Sequence, residues 1–231
     1  MNRTTFKIGN IPAILYGESQ EKLCLFVHGQ GGCKEEGERT AKILCPLGYS
    51  VLAIDLPQHG ERKNDSTEFA PWSVTGELRS VMEYARSRFE SVSLFANSIG
   101  AWFSMLTFAE NPPKNCFFVS PVLDMNRLIE RMMQWADVTP ERLEREGEIP
   151  TDFGQTLSHR YRQFALDNPI THWNSKTAVL YGSEDNLIER ETVDAFCKKH
   201  GCELTVLEGG EHWFHTESQL KFMTDWFKAR I

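Results

Sequence analysis

A serine, an aspartate and a histidine each follow a separate strand-like stretch in this chain of 231 residues: Ser98, Asp185 and His212. A serine hydroxyl is a poor nucleophile at neutral pH. It attacks a carbonyl when a base removes its proton, and an imidazole serves as that base when an anion fixes its tautomer and stabilises its cation. These three residue types are the minimum set for acyl transfer through a serine ester, provided the fold brings them together. Ser98 lies in Ala96-Asn97-Ser98-Ile99-Gly100-Ala101, between the alternating stretch Ser91–Ala96 and the apolar, helix-forming stretch Ala101–Glu110. A strand-turn-helix junction of this kind holds a serine oxygen out at the carboxyl edge of a sheet. The same junction also suits an ordinary helix N-cap serine. Ala96 stands where the pattern Gly-x-Ser-x-Gly has its first glycine, a mild departure because the position only requires a small side chain, and Gly100 keeps the second.

Asp185 is placed by Thr177–Gly182, a strand ending in glycine, and the loop Ser183-Glu184-Asp185-Asn186 that leaves it. A helix over Leu187–His200 and a strand over Glu203–Leu207 follow. His212 then falls in the loop Glu208-Gly209-Gly210-Glu211-His212-Trp213. Two competitors exist for the acid: Asp124, shortly after the strand Asn115–Ser120, and Glu184. His215 competes for the base but sits where the last helix begins. Leu23–Val27 runs into His28-Gly29-Gln30-Gly31-Gly32, whose glycines permit close approach to a substrate, so the backbone N–H groups of Gln30 and Ile99 are the expected oxyanion donors. His28 is expected to anchor its loop, and Asp55 and His59, in Asp55-Leu56-Pro57-Gln58-His59-Gly60, to shape the floor beside the site.

Taken in order, His28–Gly32, Asp55–Gly60, Asn97–Gly100, Tyr181–Asp185 and Gly209–Phe214 resemble the motifs of the α/β-hydrolase superfamily, whose triad also runs serine, acid, histidine along the chain. The resemblance spans residues 23 to 214. It implies an α/β-hydrolase fold with a mostly parallel eight-stranded sheet flanked by helices. It also implies double displacement on a small-molecule acyl substrate, a carboxylic ester by default, with no metal or organic cofactor. A thioesterase or short-peptide amidase would use the same triad, and a non-catalytic ligand-binding protein could keep the same scaffold.

The remaining elements are those such a site needs. Residues 4–8 and 11–16 read as an opening hairpin, Glu35–Leu47 as a helix, 50–55 as a strand and Trp72–Arg88 as a helix. More than fifty residues separate the strand at Asn115 from that at Thr177, so a helical cap is expected over residues 121–172 of a single domain. Its expected helices are Met125–Ala136, one opening at Thr139-Pro140-Glu141, and a third within Asp152–Asp167. Met132, Met133, Trp135 and Phe153 are the candidate pocket walls, with Trp213, which together with Phe214 is expected to shield the base. Arg62 and Lys63 are expected at a solvated surface.

A formal charge of −7, with no clustering of basic residues, disfavours nucleic-acid and membrane-surface partners. The N-terminus lacks the apolar core of an export signal, and the six cysteines, without metal-site spacing, are expected as free thiols; both features suit the cytoplasm. The cysteine pair that could conceivably bridge is Cys197 and Cys202.

Overall fold

The computed structural model describes residues 1–231. Its eight-stranded sheet grows from a hairpin, β1 (Arg3–Ile8) and β2 (Ile11–Tyr16). Gly9 takes φ 59° at the first position of the two-residue turn, the left-handed placement that a type II′ hairpin needs. The parallel strands are β3 (Lys22–Val27), β4 (Tyr49–Ile54), β5 (Ser91–Asn97), β6 (Asn115–Val119), β9 (Lys176–Gly182) and β10 (Glu203–Leu207). They lie in the order β1-β2-β4-β3-β5-β6-β9-β10, with β1/β2 and β2/β4 antiparallel and every other pair parallel.

Side-chain alternation on these strands builds two cores, because successive residues face opposite sides. Leu23, Leu25 and Val27 of β3, with Leu94 and Ala96 of β5, face the helices α2 (Pro71–Arg86), α3 (Ile99–Phe108) and α7 (Arg190–His200). Cys24 and Phe26, with Phe95, Phe117 and Leu180, face α1 (Gly37–Leu44) and α8 (Glu217–Lys228). The second face is closed by aromatic packing: the Phe227 ring sits 5.0 Å from Phe95 and 4.8 Å from Phe117, in edge-to-face geometry.

The order of the strands decides where a site can form. From β3 the chain goes first to β4 on one side and later to β5 on the other, so loops leaving β3 and β5 diverge and open a crevice at the carboxyl edge. Val27 pairs with Ala96, which sets the loop His28–Gly32 directly beside Ser98.

Between β6 and β9 lie α4 (Met125–Trp135), α5 (Pro140–Glu146), a hairpin of β7 (Glu148–Pro150) and β8 (Thr156–Ser158), and α6 (His159–Asp167). The expected third helix is therefore only half right. Residues 152–158 belong to the hairpin, turned through Gly154 at φ 83°, and helix begins at His159 with the Ser158 hydroxyl accepting from the Tyr161 N–H. The expected helix Glu35–Leu47 is likewise split: 3-10 turns over Lys34–Glu36 and Cys45–Leu47 flank α1, the second ending at Gly48 in the left-handed region. Helix α7 begins at Arg190, three residues later than the sequence suggested. All six cysteines are free. No helix is long and apolar enough to cross a membrane.

Phe227→Ala should empty the centre of the α8 face and lower the unfolding free energy by about 3–5 kcal/mol, the usual cost of deleting a buried aromatic ring. Urea denaturation reads this directly. A loss below about 1 kcal/mol would mean that α8 does not brace the sheet.

Candidate active site

Ser98 occupies the sharp turn between β5 and α3 at φ 47° and ψ −121°, a conformation that an L-residue keeps only when its surroundings enforce it. The enforcement is visible on the next strand. The Ser98 N–H donates to the Val119 carbonyl (3.0 Å), and the Ser98 carbonyl accepts from the Val122 N–H (3.1 Å), so the turn after β6 grips the serine backbone from both sides. Close approach does the rest. A Cβ at Gly100 would stand 2.4 Å from the His28 carbonyl oxygen, and one at Gly29 would stand 3.1 Å from Ser98 Cβ. Ser98 itself is the N-cap position of α3 but makes no side-chain cap bond, which leaves its hydroxyl free for another partner.

That partner is His212. Ser98 Oγ donates to His212 Nε2 at 2.9 Å, and His212 Nδ1 donates to Asp185 Oδ2 at 2.7 Å. The assignment follows from the carboxylate being an acceptor, which places the ring proton on Nδ1 and a lone pair on Nε2. Asp185 is held from its other side, where Oδ1 accepts from the Leu187 and Ile188 N–H groups, both at 2.9 Å. Its side chain is fully buried. The loops carrying Asp185 and His212 are laced together: Ser183 N–H donates to the Leu207 carbonyl, Glu184 N–H to the Gly210 carbonyl and Gly209 N–H to Ser183 Oγ. Gly182 makes that lacing possible, since a Cβ there would meet the Gly210 oxygen at 2.3 Å.

Asp124, the alternative acid, is engaged elsewhere. Its exposed carboxylate caps α4 by accepting from the Arg127 N–H. His215 is not at Ser98 either; its Nδ1 donates to the Trp213 carbonyl, and its backbone N–H donates to Gln219 of the capping box that opens α8.

The loop after β3 is a tight turn in which the Gly32 N–H donates to the Gly29 carbonyl and Gly31 takes φ 75°, as the third position of a type II turn requires. Gln30 N–H meets no backbone carbonyl, and Ile99, as the first residue of α3, has no carbonyl one turn earlier to receive its N–H. The turn is anchored by two buried histidines. His59 Nε2 accepts from the Gly31 N–H and its Nδ1 donates to the Pro57 carbonyl, while His28 Nε2 accepts from the Leu56 N–H and its Nδ1 donates to the Gly29 carbonyl. Beneath them Asp55 accepts from the Lys34 N–H and from Lys34 Nζ (2.7 Å), and Lys34 also meets Glu35 and Glu61. The ammonium is almost wholly enclosed, so these carboxylates keep it charged.

The remaining sequence candidates lie around this centre unequally. Met133 is buried in the larger core, Met132 packs partly buried against it, and Trp135 and Phe153 are exposed and meet edge to face. Phe214 is buried on the α8 side, but Trp213 is 74% exposed and stacks on His215, so it does not shield His212 as expected. Arg62, expected at a solvated surface, is buried in a bidentate pair with Glu77 and a further contact to Asp65, because the turn after Gly60 directs it inward. Lys63 is exposed. Sequence reasoning missed the Val119–Val122 grip, the Ser183 lacing and Arg62. The first two depend on backbone placement between strands distant in the chain and the third on a side-chain pair with Glu77 of α2, and no residue type signals any of them. No group of three or more His, Cys, Asp or Glu side chains converges as a metal site.

A strand-borne serine at a strained turn, with acid and histidine on later strand exits, defines a class of α/β fold that comparison with known proteins identifies. The sequence profile of the Alpha/beta hydrolase family matches residues 24–224, and the chain belongs to that family. Compared by sequence with curated proteins, it matches none. Among solved structures it is similar to Est1E from Butyrivibrio proteoclasticus (18% identity, 99% of this chain and 97% of that one, TM-score 0.78). Mouse Alpha/beta hydrolase domain-containing protein 10 is similar at 10% identity over 99% and 98% of the two chains, TM-score 0.77. The Thioesterase Domain From Curacin Biosynthetic Pathway shares 16% identity over 98% and 99%, TM-score 0.66. At these identities the likeness is one of fold.

His28 supplies a pH test of the anchored turn. Burial pushes its pKa down from the ordinary histidine value to about 4, against an opposing pull from the Gly29 carbonyl. The unfolded chain therefore binds the proton first, and stability present above about pH 6.5 drains away as pH falls toward 4, by up to about 3 kcal/mol. Urea unfolding between pH 7 and 4 should show this slope, and His28→Gln should flatten it. An unchanged slope in the variant would contradict the role given to His28.

Proposed function

We propose that this protein is a serine hydrolase that cleaves a small carboxylic ester through an acyl-enzyme. The observation that carries the reading is the unbroken line from Ser98 Oγ through His212 (2.9 Å) to Asp185 (2.7 Å). In the first half-reaction His212 Nε2 takes the Ser98 proton as Oγ attacks the substrate carbonyl. The resulting oxyanion is received by the N–H groups of Gln30 and Ile99, which have no competing carbonyl to satisfy. His212, now a cation stabilised by Asp185, hands its proton to the departing alcohol. Water then enters, gives a proton to His212, attacks the acyl carbon and releases the acid with Ser98 restored.

Residues 121–172 are read as a cap over this centre, and Met132, Trp135 and Phe153 as its apolar wall, with Met133 backing Met132 from the core. Supporting the ester reading, Est1E is described with ferulic acid bound, a carboxylic acid of the kind ester cleavage releases. No bonded partner other than His212 competes for the Ser98 hydroxyl, which a purely ligand-binding scaffold would have no reason to preserve.

A panel of acyl esters of graded length, thioesters and aminoacyl amides tests this reading. Esters should turn over fastest, and Ser98→Ala should cut that rate by roughly 10⁴-fold or more while the thermal melt stays in place. Turnover confined to thioesters or amides would reassign the substrate. Undiminished ester cleavage by Ser98→Ala, or none by the native protein, would overturn the proposal.

A further inference from the structure

Arg131, partly buried on α4, reaches across to the loop that carries Asp185. Its guanidinium donates to the Leu187 carbonyl at 2.9 Å and to the Asn186 carbonyl at 3.3 Å. These two carbonyls belong to the two peptide units whose opposite ends serve the acid. The unit joining Asn186 to Leu187 offers its N–H to Asp185 Oδ1, and so does the unit joining Leu187 to Ile188. In a trans peptide the N–H and C=O point in opposite directions. Each unit is therefore held by a cation at its oxygen and by a carboxylate at its hydrogen, an arrangement in which each hydrogen bond polarises and strengthens the other.

The guanidinium is itself constrained. Its side chain is only 20% exposed, it lies 5.1 Å from the Trp135 ring, and it stands 3.9 Å from Glu189. Glu189 in turn takes a forked pair of hydrogen bonds from Arg127, one turn earlier on α4 (2.5 and 2.9 Å). Two successive arginines on one helix face thus bolt α4 to residues 186–189. The Arg127–Glu189 pair is half exposed and fixes the helix to the loop. Arg131 alone addresses the peptides that touch the acid.

We infer that Arg131 is a positioning residue for Asp185: through the peptide units 186–187 and 187–188 it orients the carboxylate that orients His212, so that the first cap helix and the triad acid are held as one body. The inference rests on the triad reading. Displacing α4 from the sheet edge takes the guanidinium off both carbonyls and leaves Asp185 Oδ1 held by unsupported amides. Hydrolysis then depends on α4 being seated, even for substrates too small to touch it. A lysine at position 131 keeps the charge but cannot span two carbonyls with a planar fork.

A double-mutant cycle with a short p-nitrophenyl ester tests this, using Arg131→Met, Arg131→Lys, Asp185→Ala and each Arg131 variant combined with Asp185→Ala. Arg131→Met should lower kcat roughly 10-fold with KM changed less than about twofold, the pattern of a misplaced catalytic group. Arg131→Lys should recover part of the loss. In the Asp185→Ala background both Arg131 changes should alter kcat by less than about twofold, since there is no carboxylate left to position. Equal losses in the two backgrounds would make Arg131 a brace of the fold and overturn the inference, as would no loss in the native background. Should Arg131→Met not fold, the Arg131→Lys arm gives the same comparison. Failure of Asp185→Ala itself to slow the enzyme would instead overturn the triad reading.

Discussion

Everything at this sheet edge is arranged around a serine backbone that would not rest where it is by itself. Ser98 at φ 47° is held between the Val119 carbonyl and the Val122 N–H, and the space it needs exists because Gly29 and Gly100 carry no side chains. Conformations of this kind cost on the order of 1–3 kcal/mol, so the neighbouring packing must over-determine them. Two well-filled cores on the sheet's faces provide that rigidity. The strain also explains why the hydroxyl is available: the turn leaves Ser98 at the head of α3 without a cap bond, aimed at His212 instead.

The rest of the site repeats one device, in which loops from neighbouring strands are tied by short hydrogen bonds from backbone and side chains and kept close by glycine. The loops after β9 and β10 share three such bonds across the Gly182–Gly210 contact, and the turn after β3 is tied to the loop after β4 through His28, His59 and the Lys34–Asp55 pair. Buried charge sits in this second tie, where Lys34 meets Asp55, in the Arg62–Glu77 pair, and at Asp185, which meets His212 and two backbone N–H groups. Short ties of this sort limit how far any member of the site can drift.

Much of this was legible in the chain. The apolar run Leu23–Val27, the alternation in Ser91–Ala96, the glycines of residues 29–32 and 209–210, and the order of Ser98, Asp185 and His212 indicate the fold and which loops must meet. Met133 and the hairpin at 148–158 were harder. A methionine at helical spacing reads equally as pocket or core, and Asp152–Asp167 is helical only from His159 on, Gly154 at left-handed φ turning the residues before it into a hairpin. Arg62 and Arg131 were illegible as partners because what they bind, Glu77 in one case and two carbonyls in the other, lies at distances along the chain that no local pattern spans.

In the proposed reaction the Ser98 oxygen attacks and the Gln30 and Ile99 amides receive the resulting charge. A crystal structure of the protein after reaction with a fluorophosphonate tests it most directly. Phosphorus is expected on Ser98 Oγ, with one phosphonyl oxygen about 2.7–3.1 Å from both backbone nitrogens. Phosphorus on another side chain, or an oxygen turned away from those two amides, would contradict it.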